Sequence, residues 1–198
     1  MITPVNSETL RRLDLRASMM VGEKIPNFLR VLAHSPVTLR ACLDVNNILG
    51  QGLLTPQRRV QIALLMAEIN SCRYSLSMYC QQSRRIGLIE EEIWLARKGM
   101  ACDPADRAML RFTLNFVLER GAVGPQAFNT LRGAGFSDAQ IVEVIANIAL
   151  NIFVNYFNVA NATPVDFPLV APGRAGAVPS GMPSPPELGS QPLITDSQ

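Results

Sequence analysis

Covalent chemistry in this chain would fall to few residues. There are four cysteines, Cys42, Cys72, Cys80 and Cys102, and a single histidine, His34. The densest grouping is AEINSCRYSLSMYC, residues 67 to 80, which holds Glu68, Cys72, Ser75, Tyr79 and Cys80. A thiol attacks or reduces only as its thiolate, and the first positions of a helix favour that form through the dipole and the free N–H groups. On a helix running from about Cys72 to Arg85, Ser75 and Tyr79 stand three and seven residues beyond Cys72 and share its face. Cys80 would lie about 12 Å along the axis from Cys72, too far for a disulfide. Glu68, one turn before Cys72, could approach it across a helix junction or serve a structural role. His34 precedes Ser35-Pro36 at a helix end, which suits a C-cap or surface residue better than a base. No His, Cys and carboxylate cluster has metal-ligand spacing, and no Gly-rich phosphate loop is present. No metal and no cofactor are expected.

The elements that must position these residues read as helices. Ser35-Pro36, Thr55-Pro56 and Asp103-Pro104 each place a capping side chain before a proline at the first helical position. They open runs ending near Gly50, Asn70 and Arg120. A short helix is expected over Pro26 to Leu32. Glu90 to Lys98 begins acidic and ends basic, as the helix dipole favours. Pro125 to Arg132 is closed by Gly133 and Gly135, and Gly87 stands just past the Cys72–Arg85 helix. Ser137 and Gln140 have the spacing of a capping box before a long apolar run to about Asn161. In the Thr55-Pro56 run, Val60, Ala63, Leu64 and Ala67 fall on one face. No stretch shows convincing strand alternation with hairpin turns. The expected fold class is all-α.

The last run carries a polar stripe: Glu143, Asn147, Asn151, Asn155 and Asn158, at spacings of four, four, four and three. Buried amides need partners. The stripe is either the wall of a pocket or a set of helix–helix or subunit hydrogen bonds. It is also too polar for a lipid span, so no membrane is expected. After Phe167-Pro168 the composition turns to Pro, Gly and Ser, and residues 169–198 are expected as a disordered tail behind a helical domain over residues 1–168.

The chain has 198 residues, 48% hydrophobic and 17% charged, with 18 basic against 16 acidic residues. That suffices for one packed core and adds apolar surface for a homo-oligomer. No basic cluster supports nucleic-acid binding. The opening MITPVNSETLRRL lacks the apolar core of a secretory leader, so the expected location is the cytoplasm, with free thiols.

Several stretches together resemble one family. AEINSC followed by CRYSLS, then SRRIGLIEEEI, then GAGFSDAQIVEVIANIALNIFVNYFN and a closing Val165-Asp166-Phe167-Pro168 resemble, in order and spacing, the carboxymuconolactone decarboxylase and alkylhydroperoxidase D-like family. The likeness covers roughly residues 20 to 168. It implies a helical bundle assembling as a homo-oligomer (dimer, trimer or hexamer). Active members carry C-x-x-C-x-x-x-H, with a glutamate about three turns upstream. Cys72 matches the first cysteine. Ser75 stands at the second, Tyr79 at the histidine and Val60 at the glutamate.

The resemblance implies thiol peroxidase-type oxidoreductase chemistry on a hydroperoxide. The candidate catalytic residues are Cys72, Ser75, Tyr79 and Glu68, and an external thiol must resolve the oxidised sulfur, because serine cannot. The decarboxylase branch implies acid–base chemistry on an aromatic or lactone acid as a variant. The other expectation is a non-catalytic scaffold that binds ligands or partners, with Cys72 an inert helix-start residue.

Overall fold

A computed structural model describes residues 1–6 and 25–173. Among them are eight α-helices and no strand. They are α1 (Asn27–Leu32), α2 (Pro36–Leu49), α3 (Pro56–Ile69), α4 (Arg73–Arg85), α5 (Glu90–Arg97), α6 (Pro104–Leu118), α7 (Pro125–Gly133) and α8 (Asp138–Ala160). The all-α expectation holds, and most helix starts fall where the caps predicted. Ser35, Thr55 and Asp103 accept from the N–H groups of Thr38, Arg58 and Asp106. Ser137 and Gln140 close their capping box reciprocally.

Helix α3 is the centre. Val60, Ala63, Leu64 and Ala67 share one face, and burial extends all round the helix, over every residue from Val60 to Ala67. α4, α5, α6 and α8 all pack against it. Its side chains anchor a main core that includes Ile62, Leu64, Met66, Leu76, Met109 and Ile148. A second apolar cluster lies beside it. There, Phe28, Leu29 and Leu32 of α1 meet Leu39 and Cys42 of α2, Cys72 and Tyr74, and Val154 of α8.

The α3–α4 junction fixes the thiol. Ser71 adopts φ 51°, the left-handed conformation that usually falls to glycine after a helix. This lets the Cys72 N–H return to the Ala67 carbonyl at 2.9 Å and the Ser71 N–H to the Glu68 carbonyl at 3.0 Å. Cys72 is therefore tied to the end of α3 through its backbone while it starts α4.

Helix α8, with 23 residues, is long and apolar enough to cross a bilayer on length and composition alone. Its inward side buries Asn147, Asn151, Asn155 and Asn158, and it packs on α3, α4 and α2. Its outward side leaves Val142, Tyr156 and Val159 exposed.

Beyond α8 the chain stays fastened to the body as far as Gly173. Asp166 accepts from the Asn27 N–H and from the Tyr74 hydroxyl, while Tyr74 itself accepts from the Phe28 N–H. Tyr74 is edge-on to both Phe28 and Phe167. Val170 donates to Ser77 Oγ at 2.9 Å, and Gly173 donates to Glu68 Oε1 at 2.7 Å. The expected tail beyond residue 173 lies outside the described residues.

Candidate functional site

Helix α4 brings Cys72 and Ser75 together. The Cys72 thiol donates to Ser75 Oγ at 3.2 Å and accepts the Ser75 N–H at 3.5 Å, so it serves as the N-cap of its own helix. The thiol is enclosed: Cys72 is 1% exposed and packs in the second apolar cluster.

Tyr79, one turn further along the same face, lies in the wall of a cavity of about 290 Å³. Five helices enclose this cavity. α1 supplies Phe28 and Leu29, α2 supplies Cys42 and Asn46, and α3 supplies Arg59, Val60 and Ala63. α4 adds Met78, Tyr79, Gln82 and Arg85, and α8 adds Asn147, Leu150, Asn151 and Val154. Cys72 and Ser75 are not among the lining residues. They sit in the layer behind, since Phe28, Leu29, Cys42 and Val154 belong both to the lining and to the cluster that holds Cys72. Val60 and Tyr79, at the motif positions that resemble the family's glutamate and histidine, both face the cavity.

The electrostatics do not favour a base here. Burial pushes the Tyr79 hydroxyl up from its ordinary range, and the neighbouring Cys42 and Cys72 thiols add to the rise, while Arg59 opposes it. Such a phenol stays protonated near neutrality and can only donate or accept a hydrogen bond. Burial pushes the Cys42 thiol up to about 11.

Glu68 is not delivered to Cys72. Its Oε2 accepts from Arg97 Nε at 2.9 Å and its Oε1 from the Gly173 N–H, an ion pair in which both side chains are largely buried. The carboxylate is held against α5 and the C-terminal strap, so the approach across the junction does not occur. His34 is exposed, with Nε2 2.8 Å from the Thr3 carbonyl oxygen, in keeping with a surface role. Cys80 is buried, and burial raises its thiol too. Cys102 is exposed. Among the described residues no group of His, Cys, Asp and Glu could hold a metal ion.

The polar stripe of α8 divides. Glu143 turns its carboxylate to the backbone N–H groups of Leu53 and Leu54, tying down the loop after α2. Asn147 and Asn151 reach the cavity, while Asn155 and Asn158 are buried away from it. The amide groups of Asn147, Asn151 and Asn158 donate to carbonyls four residues back on the same helix, not to another helix.

The residue that sequence reasoning missed is Arg59. Its Nε donates to Asn147 Oδ1 at 3.3 Å, and its Nη2 donates to the Asn46 carbonyl and side chain at 3.1 and 3.2 Å. Burial lowers its pKa, partly offset by Tyr79 and Glu143. The available signal was an arginine next to Val60, in a helix otherwise reading as core.

No family model matches the chain, and no curated protein matches it. Solved structures do. The debrominase Bmp8, solved as a cysteine-to-alanine variant in complex with 2,3,4-tribromopyrrole, superposes with a TM-score of 0.73 at 18% identity, covering 84% of this chain and 91% of that one. An uncharacterized peroxidase-related protein from Silicibacter sp. TM1040 matches with a TM-score of 0.67 at 22% identity, covering 85% and 87%. A peroxidase-related protein from Ralstonia eutropha JMP134, described as an alkylhydroperoxidase AhpD core, matches with a TM-score of 0.64 at 22% identity, covering 82% and 87%. The fold is that of the AhpD-like proteins, the architecture that the resemblance implied.

Proposed function

We propose that this chain is a small-molecule-handling AhpD-like oxidoreductase in which the cavity takes a compact, partly apolar substrate and Cys72, at the motif position one layer behind the wall, is the thiol that reacts once the substrate reaches it. The observation that carries this reading is the layering of the site. Cys72 starts α4 with Ser75 against its sulfur, in the same apolar cluster as four residues that line the cavity. The debrominase neighbour, bound to a tribromopyrrole, shows a small flat aromatic accommodated by a protein of this fold.

For a hydroperoxide the step is attack of the Cys72 thiolate on the distal peroxide oxygen. The S–O bond forms as the O–O bond breaks, the sulfur becomes a sulfenic acid, and the departing alkoxide leaves as the alcohol by taking from water the proton that the thiol gave up to it. Ser75 can hydrogen-bond that sulfur but cannot resolve it. An external thiol must therefore condense with the sulfenic acid, releasing water, and a second external thiol must reduce the mixed disulfide.

A specific observation favours a second reading, binding without turnover. The Cys72 thiol is 1% exposed, is used as a helix cap and has no base beside it. One experiment separates the two. The four cysteines are alkylated with iodoacetamide across pH in the parent and in Cys72→Ala, with and without cumene hydroperoxide, and read individually by mass spectrometry. Exposed Cys102 should react first. Peroxide-dependent loss of Cys72, trapped as a sulfenic acid, supports the enzyme. A Cys72 that stays inert until the protein unfolds leaves the binding reading.

A further inference from the structure

We propose that the cavity is built for a small organic anion whose apolar body also carries a hydrogen-bond donor, its carboxylate received by Arg59 and its donor by Asn151. The inference rests on the cavity being a small-molecule site and names the class of molecule it would take.

The first observation is charge. The lining contains two guanidinium groups, Arg59 and Arg85, and no aspartate or glutamate. Among the described residues no carboxylate lies within ion-pairing distance of Arg59, which is half-buried in a helical core. Among the described residues its hydrogen bonds go to neutral oxygens of Asn46 and Asn147, through Nε and Nη2. Glu143 is the carboxylate that bears on it electrostatically, and that group is engaged by the Leu53 and Leu54 N–H groups. A partly desolvated cation clamped by amides is oriented but not neutralised. A carboxylate entering the cavity would supply the missing charge through charge-assisted hydrogen bonds.

The second observation is an orphaned acceptor. Asn151 is 3% exposed, lines the same cavity and donates its Nδ2 to the Asn147 carbonyl, which fixes the amide orientation. Its Oδ1 is buried with no partner. Asn155 and Asn158 of the same helix also bury unpartnered amide atoms, but of the three only Asn151 lines the cavity, where a ligand O–H or N–H could satisfy it. The rest of the wall is apolar, with Phe28, Leu29, Leu150 and Val154. A volume near 290 Å³ suits a single-ring acid.

The test uses three probes on the full chain: 4-hydroxybenzoate, its methyl ester, and benzoate, titrated by ligand-observed NMR with calorimetry. 4-Hydroxybenzoate should bind at least about tenfold more tightly than the ester. Arg59→Gln should weaken binding of the acid far more than binding of the ester and so erase that preference, with circular dichroism showing that the variant is still folded. Arg59→Lys should keep part of it. Asn151→Leu should remove the preference for 4-hydroxybenzoate over benzoate and spare benzoate itself. Equal binding of acid and ester, or an acid preference that survives Arg59→Gln, overturns the anion site and leaves the small-molecule reading intact. Failure of all three probes to bind at millimolar concentration overturns both.

Discussion

Arg58 and Arg59 are neighbours on one helix, and the structure uses them in opposite ways. Arg58 reaches Asp106 of α6 at 2.7 Å and lies over the Phe136 ring, 4.6 Å from its centroid. Its charge is matched, and it joins two helices. Arg59 points to the other side of α3, meets only amide and carbonyl oxygens, and opens onto the cavity. Glu68 and Arg97 repeat the first arrangement at the far end of α3. The lesson is that partner chemistry, more than burial, separates a cation that holds the fold from one left for a ligand. A half-buried arginine with a carboxylate partner is structural. One with only neutral partners keeps a field that a ligand can use.

That contrast can be broken by mutation. The largest effect should come from Glu68→Ala, which strands Arg97 in a largely buried site and releases the Gly173 N–H. A loss of about 3 kcal/mol in urea unfolding is expected. Asp106→Ala, which strands Arg58, should cost about 2 kcal/mol, because that pair is more exposed. Arg59→Met should cost about 1 kcal/mol, less than Asp106→Ala, since it loses hydrogen bonds to neutral oxygens but breaks no ion pair and removes a desolvated charge. A loss at Arg59 equal to that at Asp106 would erase the distinction.

The smallest effect belongs to the exposed pair of Arg84 and Glu90. The Arg84 hydrogen bond holds the Glu90 carboxyl below its usual range. A depressed folded pKa gives stability that is present above the unfolded value of 4.5 and lost as pH falls through the folded value. With both side chains about half exposed, Glu90→Gln should cost less than ~0.5 kcal/mol at pH 7 and nothing in acid, as thermal melts at the two pH values would show.

Much of the scaffold was legible because helix signals are local. A Ser, Thr or Asp before proline satisfies N–H groups within the same turn, so the starts of α2, α3 and α6 could be placed without tertiary knowledge. The Cys72–Ser75 contact was legible for the same reason, being a spacing of three on one helix. The role of Glu68 was not. One turn before Cys72 in sequence, its side chain leaves the junction and meets Arg97, 29 residues away, and Gly173, 105 residues away. The α8 asparagines were visible as a stripe, but which of them face a cavity depended on where α1, α2 and α3 pack.

The sequence by itself determined the helices, their order, and a thiol at the start of α4 whose face also carries Ser75 and Tyr79, because capping and periodicity act over a few residues. Only the tertiary structure decided that Cys72 is sealed behind the cavity wall, that Glu68 is turned away from it, and that Arg59 stands in that wall without a carboxylate. Those outcomes depend on which side chains from distant helices share a low-dielectric space, and sequence spacing does not encode that.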